Sequence, residues 1–184
     1  MLAAECAWAV LRAEHARIRE LLNLVNDALN DGGWVCSGPQ AKALFALIER
    51  LQVFDHATHR PKGVVLVQTL RGRSVEADDL LIRLESTRDR CDDLLLQATA
   101  KLKAAASGAA SGAASVADGV GALLHEHRKL MLVHLDEEDS LLHSQTAAHL
   151  TRAEWAAVAS SISVAMVAIL KRMAWMSEIG CSNC

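Results

Sequence analysis

Most of the chain shows the 3.6-residue hydrophobic periodicity of long amphipathic helices, and this pattern constrains the fold more than any other feature. The sequence is rich in alanine and leucine, has two prolines in 184 residues, and lacks the runs of β-branched residues that indicate strands. A chain of this length can bury a full core without disulfides or a structural metal. We therefore predict one all-α domain over residues 1–178, followed by a tail at residues 179–184.

Turn and capping signals divide the chain into five predicted helices. The first runs from about Leu2 to Leu29. The second opens at the capping-box pattern of residues 37–40 and ends near Arg71, with a kink or local break expected at Pro61.

The last three helices are separated by one long loop. Ser74 is a suitable N-cap for a third helix that reaches about Ala105. Residues 106–115 contain only alanine, serine and glycine, which indicates a flexible loop. The fourth helix then spans about residues 117–147, and the capping box at residues 151–154 begins a fifth that ends near Met176. The predicted architecture is an up-and-down four-helix bundle with an additional C-terminal helix.

Composition argues against several function classes. The formal net charge is −3 and basic residues are mixed with acidic ones, so no nucleic-acid partner is predicted. The most apolar span, residues 155–170, is shorter than a bilayer requires and contains three serines, so no membrane partner is predicted either. The N-terminus has no basic leader and the five cysteines are an odd number, which favours a reducing compartment and a cytoplasmic location.

The fourth predicted helix has a polar stripe that can bind a cation. At helical pitch one face combines His127, His134 and Glu138 with the apolar residues Leu130, Met131 and Leu141. A histidine and a carboxylate one turn apart can bind the same metal ion, and helix bundles build such sites between facing helices.

Each of the other three main helices places one polar residue in its apolar stripe. His15 shares a face with Trp8, Leu11, Ile18 and Leu22 in the first helix. His59 shares one with Phe45, Ile48, Gln52, Gly63 and Leu66 in the second, and Arg88 shares one with Leu81, Leu84, Cys91, Leu95, Ala98 and Leu102 in the third. An unpaired buried cation is costly, so Arg88 should have an acidic partner inside. His56, one turn before His59, either donates to a neighbouring carboxylate or lines an entrance.

This set of inward residues resembles the hemerythrin-like (HHE cation-binding) domain family. The family pattern has an early His, a His-His-Pro-Lys-Glu segment, a lone His on the third helix and His-x-x-x-Glu on the fourth. The resemblance implies that His15, His59, His134 and Glu138 are metal ligands. It also implies an iron cofactor, with the histidines of the first two helices serving one iron and those of the last two helices the other.

Two positions depart from that pattern. Gly63 stands where the family has a bridging Glu, and Arg88 stands where it has the histidine of the third helix. One of the two carboxylates that would offset two close cations is therefore missing, so one iron is expected rather than two. Arg88 can also pair bidentately with Glu138 and act as a substitute for the second cation.

Three alternatives follow for the site. In the first, one iron or zinc is held by His15, His59 and Glu138, with or without His134. In the second, Arg88 pairs with Glu138 and the protein is a metal-free scaffold or partner-binding module. In the third, His56 or His127 completes a rearranged dinuclear or haem-type site.

The preferred function is a metal-binding protein that senses or handles iron, oxygen or a related small molecule such as another diatomic. No catalytic residue is identified, since neither the electron supply nor the open coordination of an oxidase is visible in the sequence. Trp155 and Trp175 of the fifth helix either pack on the bundle or form a homodimer surface. Cys181 and Cys184 belong to the tail, whereas Cys6 and Cys91 are expected to be small buried hydrophobes.

Overall fold

The computed structural model describes residues 2–35, 38–106 and 113–164, and all of its regular elements within these residues are helical. Helix α1 spans Leu2–Asn30 and is followed by a short 3₁₀ turn, Gly33–Val35. The other helices, listed in chain order, are α2 (Gly38–Phe54), α3 (Arg60–Leu70), α4 (Val75–Ala106), α5 (Ala113–Glu137), α6 (His143–His149) and α7 (residues 152–164).

These elements confirm the predicted all-helical bundle. The α2–α3 segment forms the predicted second helix and α5–α6 the predicted fourth, while α7 is the part of the fifth that the structure describes. The loop prediction is wrong at its two ends, because Ala106 and residues 113–115 are helical. Residue 37, residues 107–112 and everything after residue 164, including Trp175, Cys181 and Cys184, lie outside the described residues.

Side-chain caps fix two of the helix starts that the sequence predicts. The Ala77 N–H donates to Ser74 Oγ at 3.1 Å, so Ser74 is the N-cap of α4. At the start of α7 the Thr151 N–H donates to Glu154 Oε2 at 2.8 Å, and the Glu154 N–H donates back to Thr151 Oγ1 at 3.3 Å. This reciprocal pair is a capping box.

Two π-helical turns interrupt the inner helices. One turn, Asp55–His59, joins α2 to α3, and the other, Glu138–Leu142, joins α5 to α6. In the first, the Arg60 N–H donates to the Asp55 carbonyl five residues earlier, immediately before Pro61, which has no N–H to donate. The helix therefore continues through Pro61 with one widened turn instead of ending there.

The extra residue in the second π turn changes which side chains face inward. Leu141 was expected on the inner face, but it is 44% exposed and Leu142 is buried instead. On α2 the inner residues are Leu44, Ile48 and Leu51, whereas Phe45 and Gln52, predicted for the inner stripe, are only partly buried. The cause after Glu138 is the π turn, which shifts the register that an α-helical projection assumes.

The apolar core consists of two clusters separated by a polar layer. One cluster fills the end of the bundle formed by the later part of α1, α2, α5 and the second half of α4, including Ile18, Ile48 and Leu95. The other joins the start of α1 to α3 and α7 through residues such as Trp8 and Trp155. Cys91 belongs to the first cluster, but Cys6 is exposed, contrary to expectation.

Among the described residues, no helix combines the length and the hydropathy needed to cross a membrane.

Candidate metal centre

The layer between the two apolar clusters contains most of the buried polar side chains of the described residues. His15 comes from α1, His59 from the end of the first π turn, and Glu138 from the start of the second, and each is at most 3% exposed. His134, one turn before Glu138 on α5, is equally buried. The structure thus places all four predicted ligands at one level of the bundle.

Three of these side chains converge on one point. His15 Nε2 lies 3.0 Å from His59 Nε2 and 3.0 Å from Glu138 Oε2, and His59 Nε2 lies 3.4 Å from the same oxygen. One ligand atom from each lies within 4.8 Å of the other two. We refer to His15, His59 and Glu138 as the inner triad.

Two carboxylates behind the inner triad fix the orientation of its histidines. His15 Nδ1 lies 2.7 Å from Asp139 Oδ1, and His59 Nδ1 lies 3.1 Å from Asp55 Oδ1. An ionised carboxylate only accepts hydrogen bonds, so each Nδ1 is the donor. In a neutral imidazole this leaves the lone pair on Nε2, directed at the other members of the triad. Carboxylate–histidine pairs of this kind are typical of metal sites.

The second π turn explains how two consecutive residues reach the same site. Glu138 contacts the Nε2 side of His15, and Asp139 contacts the Nδ1 side of the same ring. In a regular α-helix neighbouring side chains diverge strongly, whereas i→i+5 bonding widens the turn and lets them point in closer directions. Single π turns inside α-helices frequently occur at functional sites.

The other oxygen of Glu138 faces a different environment. Glu138 Oε1 lies 3.1 Å from His134 Nε2 and 3.2 Å from Arg88 Nη2, and the same Arg88 nitrogen lies 3.4 Å from His134 Nε2. Arg88 therefore has the acidic partner that its position requires, but through one nitrogen and one oxygen instead of the bidentate pair expected. His134 meets Glu138 on the side opposite the triad and does not belong to the triad's set of close ligand atoms.

Gly63 leaves room beside Arg88. A Cβ added to Gly63 would lie 3.9 Å from Arg88 Nη2 and would meet no other heavy atom within 4 Å outside its own helical backbone. The position that has a bridging carboxylate in the resembled pattern is thus open space next to a guanidinium.

The other two predicted residues lie farther from the triad. His56 is half-exposed, with Nε2 3.4 Å from Asp92 Oδ1, so it pairs with a surface carboxylate. His127 is buried, and its Nε2 has no hydrogen-bond partner among the described residues. Burial lowers the pKa of His127 to about 4, which keeps this ring neutral. Among the described residues, neither His56 nor His127 forms a hydrogen bond or ion pair with the inner triad.

Sequence reasoning missed several charged residues that support the site. Buried Lys62 pairs with Glu14 and also donates to the Thr58 carbonyl at 2.7 Å, which ties α3 to α1 beside His15. Asp55 and Asp139 were missed as well. The spacing of Asp55 four residues before His59 was an available signal, because residues at i and i+4 meet on a helix.

The charges around the triad are strongly coupled. Burial opposes ionisation of Glu138, but its hydrogen bonds to His134, His15 and His59 outweigh burial and hold its pKa well below the ordinary value. Burial also lowers the pKa of His59, yet the carboxylates Asp55 and Glu138 reverse the effect and raise it to about 9. A carboxylate beside two imidazole nitrogens thus attracts positive charge to this point.

The donor set of the triad fits a metal ion. Two Nε2 atoms and one carboxylate oxygen, all acceptors when the histidines are neutral, face one another, and no other side chain of the described residues donates a hydrogen bond to them. Two histidines and one carboxylate are a common ligand set for iron and zinc, and such sets leave coordination positions for a small ligand. The Arg88 side of Glu138 does not fit a second ion, because a guanidinium already lies there.

Comparison with known proteins gives a match to one family model. The model of the hemerythrin HHE cation-binding domain matches residues 6–146, a range that includes every residue of the centre described above. No curated protein and no solved structure matches the chain.

Proposed function

The chain belongs to the hemerythrin HHE cation-binding domain family, and from this membership we propose that it binds a single metal ion at the inner triad. The observation behind the proposal is the convergence of two Nε2 atoms and one carboxylate oxygen within 3.0–3.4 Å of one another. Their burial supports it further, since three facing acceptors in a dry interior are stabilised only by a shared cation or proton.

One ion is proposed instead of two because of the charge on the other side of Glu138. The Arg88 guanidinium lies against the two polar atoms on that side, 3.2 Å from Glu138 Oε1 and 3.4 Å from His134 Nε2. A second divalent ion there would displace or repel a buried cation. Arg88 thus neutralises the second half of the centre, and Gly63 provides no carboxylate to offset further positive charge.

Iron is the proposed metal and zinc the runner-up. Two histidines and one carboxylate with open positions suit ferrous iron that binds a diatomic molecule, while the same ligands suit zinc where no redox chemistry is needed. The role that follows is sensing or handling of iron, oxygen or a related small molecule. Chemistry at the metal would use those open positions. The chain's own residues hold the ion, orient the two imidazoles and exclude bulk water.

The proposal is tested by loading the metal-free protein with ferrous iron under anaerobic conditions and adding nitric oxide. We expect an EPR signal from a mononuclear ferrous nitrosyl, with about one iron per chain. His59→Ala should lose the signal, whereas Arg90→Gln, which changes an exposed pair with Glu126, should keep it. Wild-type protein that retains no iron would favour the metal-free scaffold, and magnetically coupled iron pairs would contradict the single site.

A further inference from the structure

Each histidine of the inner triad is the first member of a chain of hydrogen bonds that leads outward. From His15 the chain continues through Asp139 to Arg19, and from His59 it continues through Asp55 to Arg60. The two chains start on different helices but have the same order of groups: imidazole, carboxylate, guanidinium. Among the described residues, neither arginine forms a hydrogen bond or ion pair with the triad itself.

A second aspartate anchors each arginine from outside. Arg60 donates to Asp55 Oδ2 through Nη2 at 2.7 Å and Nε at 3.2 Å, and to the two oxygens of Asp92 at 2.8 Å each. The Arg60 guanidinium therefore binds both carboxylates at once. Arg19 donates through one nitrogen only, to Asp139 at 2.9 Å and to Asp136 at 2.8 Å.

The carboxylate–arginine pairs of Arg60 and Arg19 also differ in solvent exposure. The Asp55 side chain is 9% exposed and Arg60 is 21% exposed, whereas Asp139 is 26%, Arg19 31% and the outer Asp136 74% exposed. Bidentate, partly buried pairs hold their geometry more firmly than single bonds at the surface. The His59 chain is thus the stiffer of the two.

We propose that Arg60 and Arg19 are positioning residues for metal binding, with Arg60 the more important. Each arginine holds its aspartate in the orientation that receives the Nδ1 proton of the histidine, and this keeps Nε2 available as the ligand atom. Without the arginine, the carboxylate can turn to solvent and the imidazole loses the bond that fixes its ring and tautomer. The inference rests on the proposed single-metal site.

The first test measures zinc affinity by competition with a chromophoric chelator. Loss of an outer-shell partner typically costs about ten- to a hundredfold in metal affinity. We expect Asp55→Asn near the top of that range, Arg60→Gln at about tenfold and Arg19→Gln at a few-fold. Arg60→Lys should restore affinity only in part, since one ammonium cannot clamp both carboxylates. Arg17→Gln is the matched control, because Arg17 is two residues from Arg19 and forms only an exposed pair with Glu20.

A second measurement separates positioning from general stability. In the zinc-loaded protein, ¹⁵N NMR of the histidine side chains reports the Nδ1 proton of each ring. Arg60→Gln should alter the His59 signal and leave His15 unchanged, and Arg19→Gln should do the reverse. If the wild type binds zinc and the Arg60 and Arg19 variants bind it as tightly as Arg17→Gln does, this inference is wrong and the proposed function stands. Wild-type protein that binds neither zinc nor iron would overturn both.

Discussion

The two oxygens of Glu138 lie in contrasting halves of the same buried layer. Oε2 faces two imidazole nitrogens whose opposite ring atoms are held by Asp139 and Asp55. Oε1 faces His134, whose Nδ1 has no hydrogen-bond partner among the described residues, and Arg88. One half is thus arranged to receive a cation, and the other already contains one.

The contrast explains why Glu138 suits a site with a single metal ion. An ionised group as buried as Glu138 needs positive charge on both sides, because its desolvation is costly. Arg88 provides that charge permanently on one side, and on the other a metal or a proton provides it. Among the described residues, an aspartate accepts from the Nδ1 of a histidine only on the second side, where the orientation of the Nε2 lone pairs matters.

Removing the charge of Glu138 should have the largest effect, since both halves depend on it. Glu138→Gln keeps the shape but leaves Arg88 without its anion, so we expect metal binding to be lost and the free energy of unfolding to fall by about 3 kcal/mol. Chemical denaturation and elemental analysis measure the two effects. Glu126→Gln breaks an exposed pair with Arg90 and should leave the free energy of unfolding nearly unchanged. Metal binding that survives Glu138→Gln would contradict the shared role of this carboxylate.

Alanine substitutions of the three histidines should distinguish the two sides of Glu138. His15→Ala and His59→Ala each remove a triad ligand, so metal binding should fall below detection. His134→Ala should retain one ion, with affinity lowered by about tenfold, because His134 only supports the far oxygen of Glu138. Chelator competition checks all three variants. Equal loss in all three would mean that His134 is a ligand and that the triad is not the complete set.

Converting the Arg88 side into a metal site should change the stoichiometry. Gly63→Glu with Arg88→His removes the internal cation and adds a carboxylate where a Cβ has free space. We expect the double variant to bind two ions per chain by elemental analysis. Gly63→Glu alone should still bind one, since its new carboxylate pairs with Arg88. If the double variant stays at one ion, Arg88 is not what limits the site.

A reversible effect concerns pH in the metal-free protein, where a proton takes the place of the ion. The pKa of His59 rises to about 9 in the fold from an ordinary 6.5, so its stabilising contribution is complete below pH 6.5 and is lost as pH rises through 9. We expect the free energy of unfolding to fall by up to about 3 kcal/mol across this window. Denaturation at pH 6 and pH 9 measures it.

The control for this prediction is His59→Gln, which should remove most of the alkaline decline. A bound metal should remove it as well, since the ion replaces the proton. An unchanged decline in His59→Gln would show that another group is responsible.

Much of this centre could be predicted from helical periodicity. The inward positions of His15, His59, His134 and Glu138 follow from counting along amphipathic helices, because α-helical pitch holds over most of each segment. Arg88 was predicted to need an acidic partner from its place in an apolar stripe, and that partner is Glu138.

The remaining features depend on local departures from α-helical pitch. Residues 136–139 are four consecutive acidic residues, and counting along the helix places Glu138 inward but gives no reason for its neighbour Asp139 to face the same site. The π turn at Glu138 decides this by bringing Asp139 to His15 and by placing Leu142 inside in place of Leu141. Asp55 differs from Asp139, because its contact with His59 has the i,i+4 spacing that a sequence reveals.

The most direct measurement is the metal content per chain of freshly purified protein, combined with its optical spectrum. One iron or zinc per chain, lost in His59→Ala and kept in His134→Ala, is the predicted result. Two irons per chain with the absorption of an oxo bridge would contradict the replacement of the second ion by Arg88. No metal after anaerobic loading would contradict metal binding at the inner triad altogether.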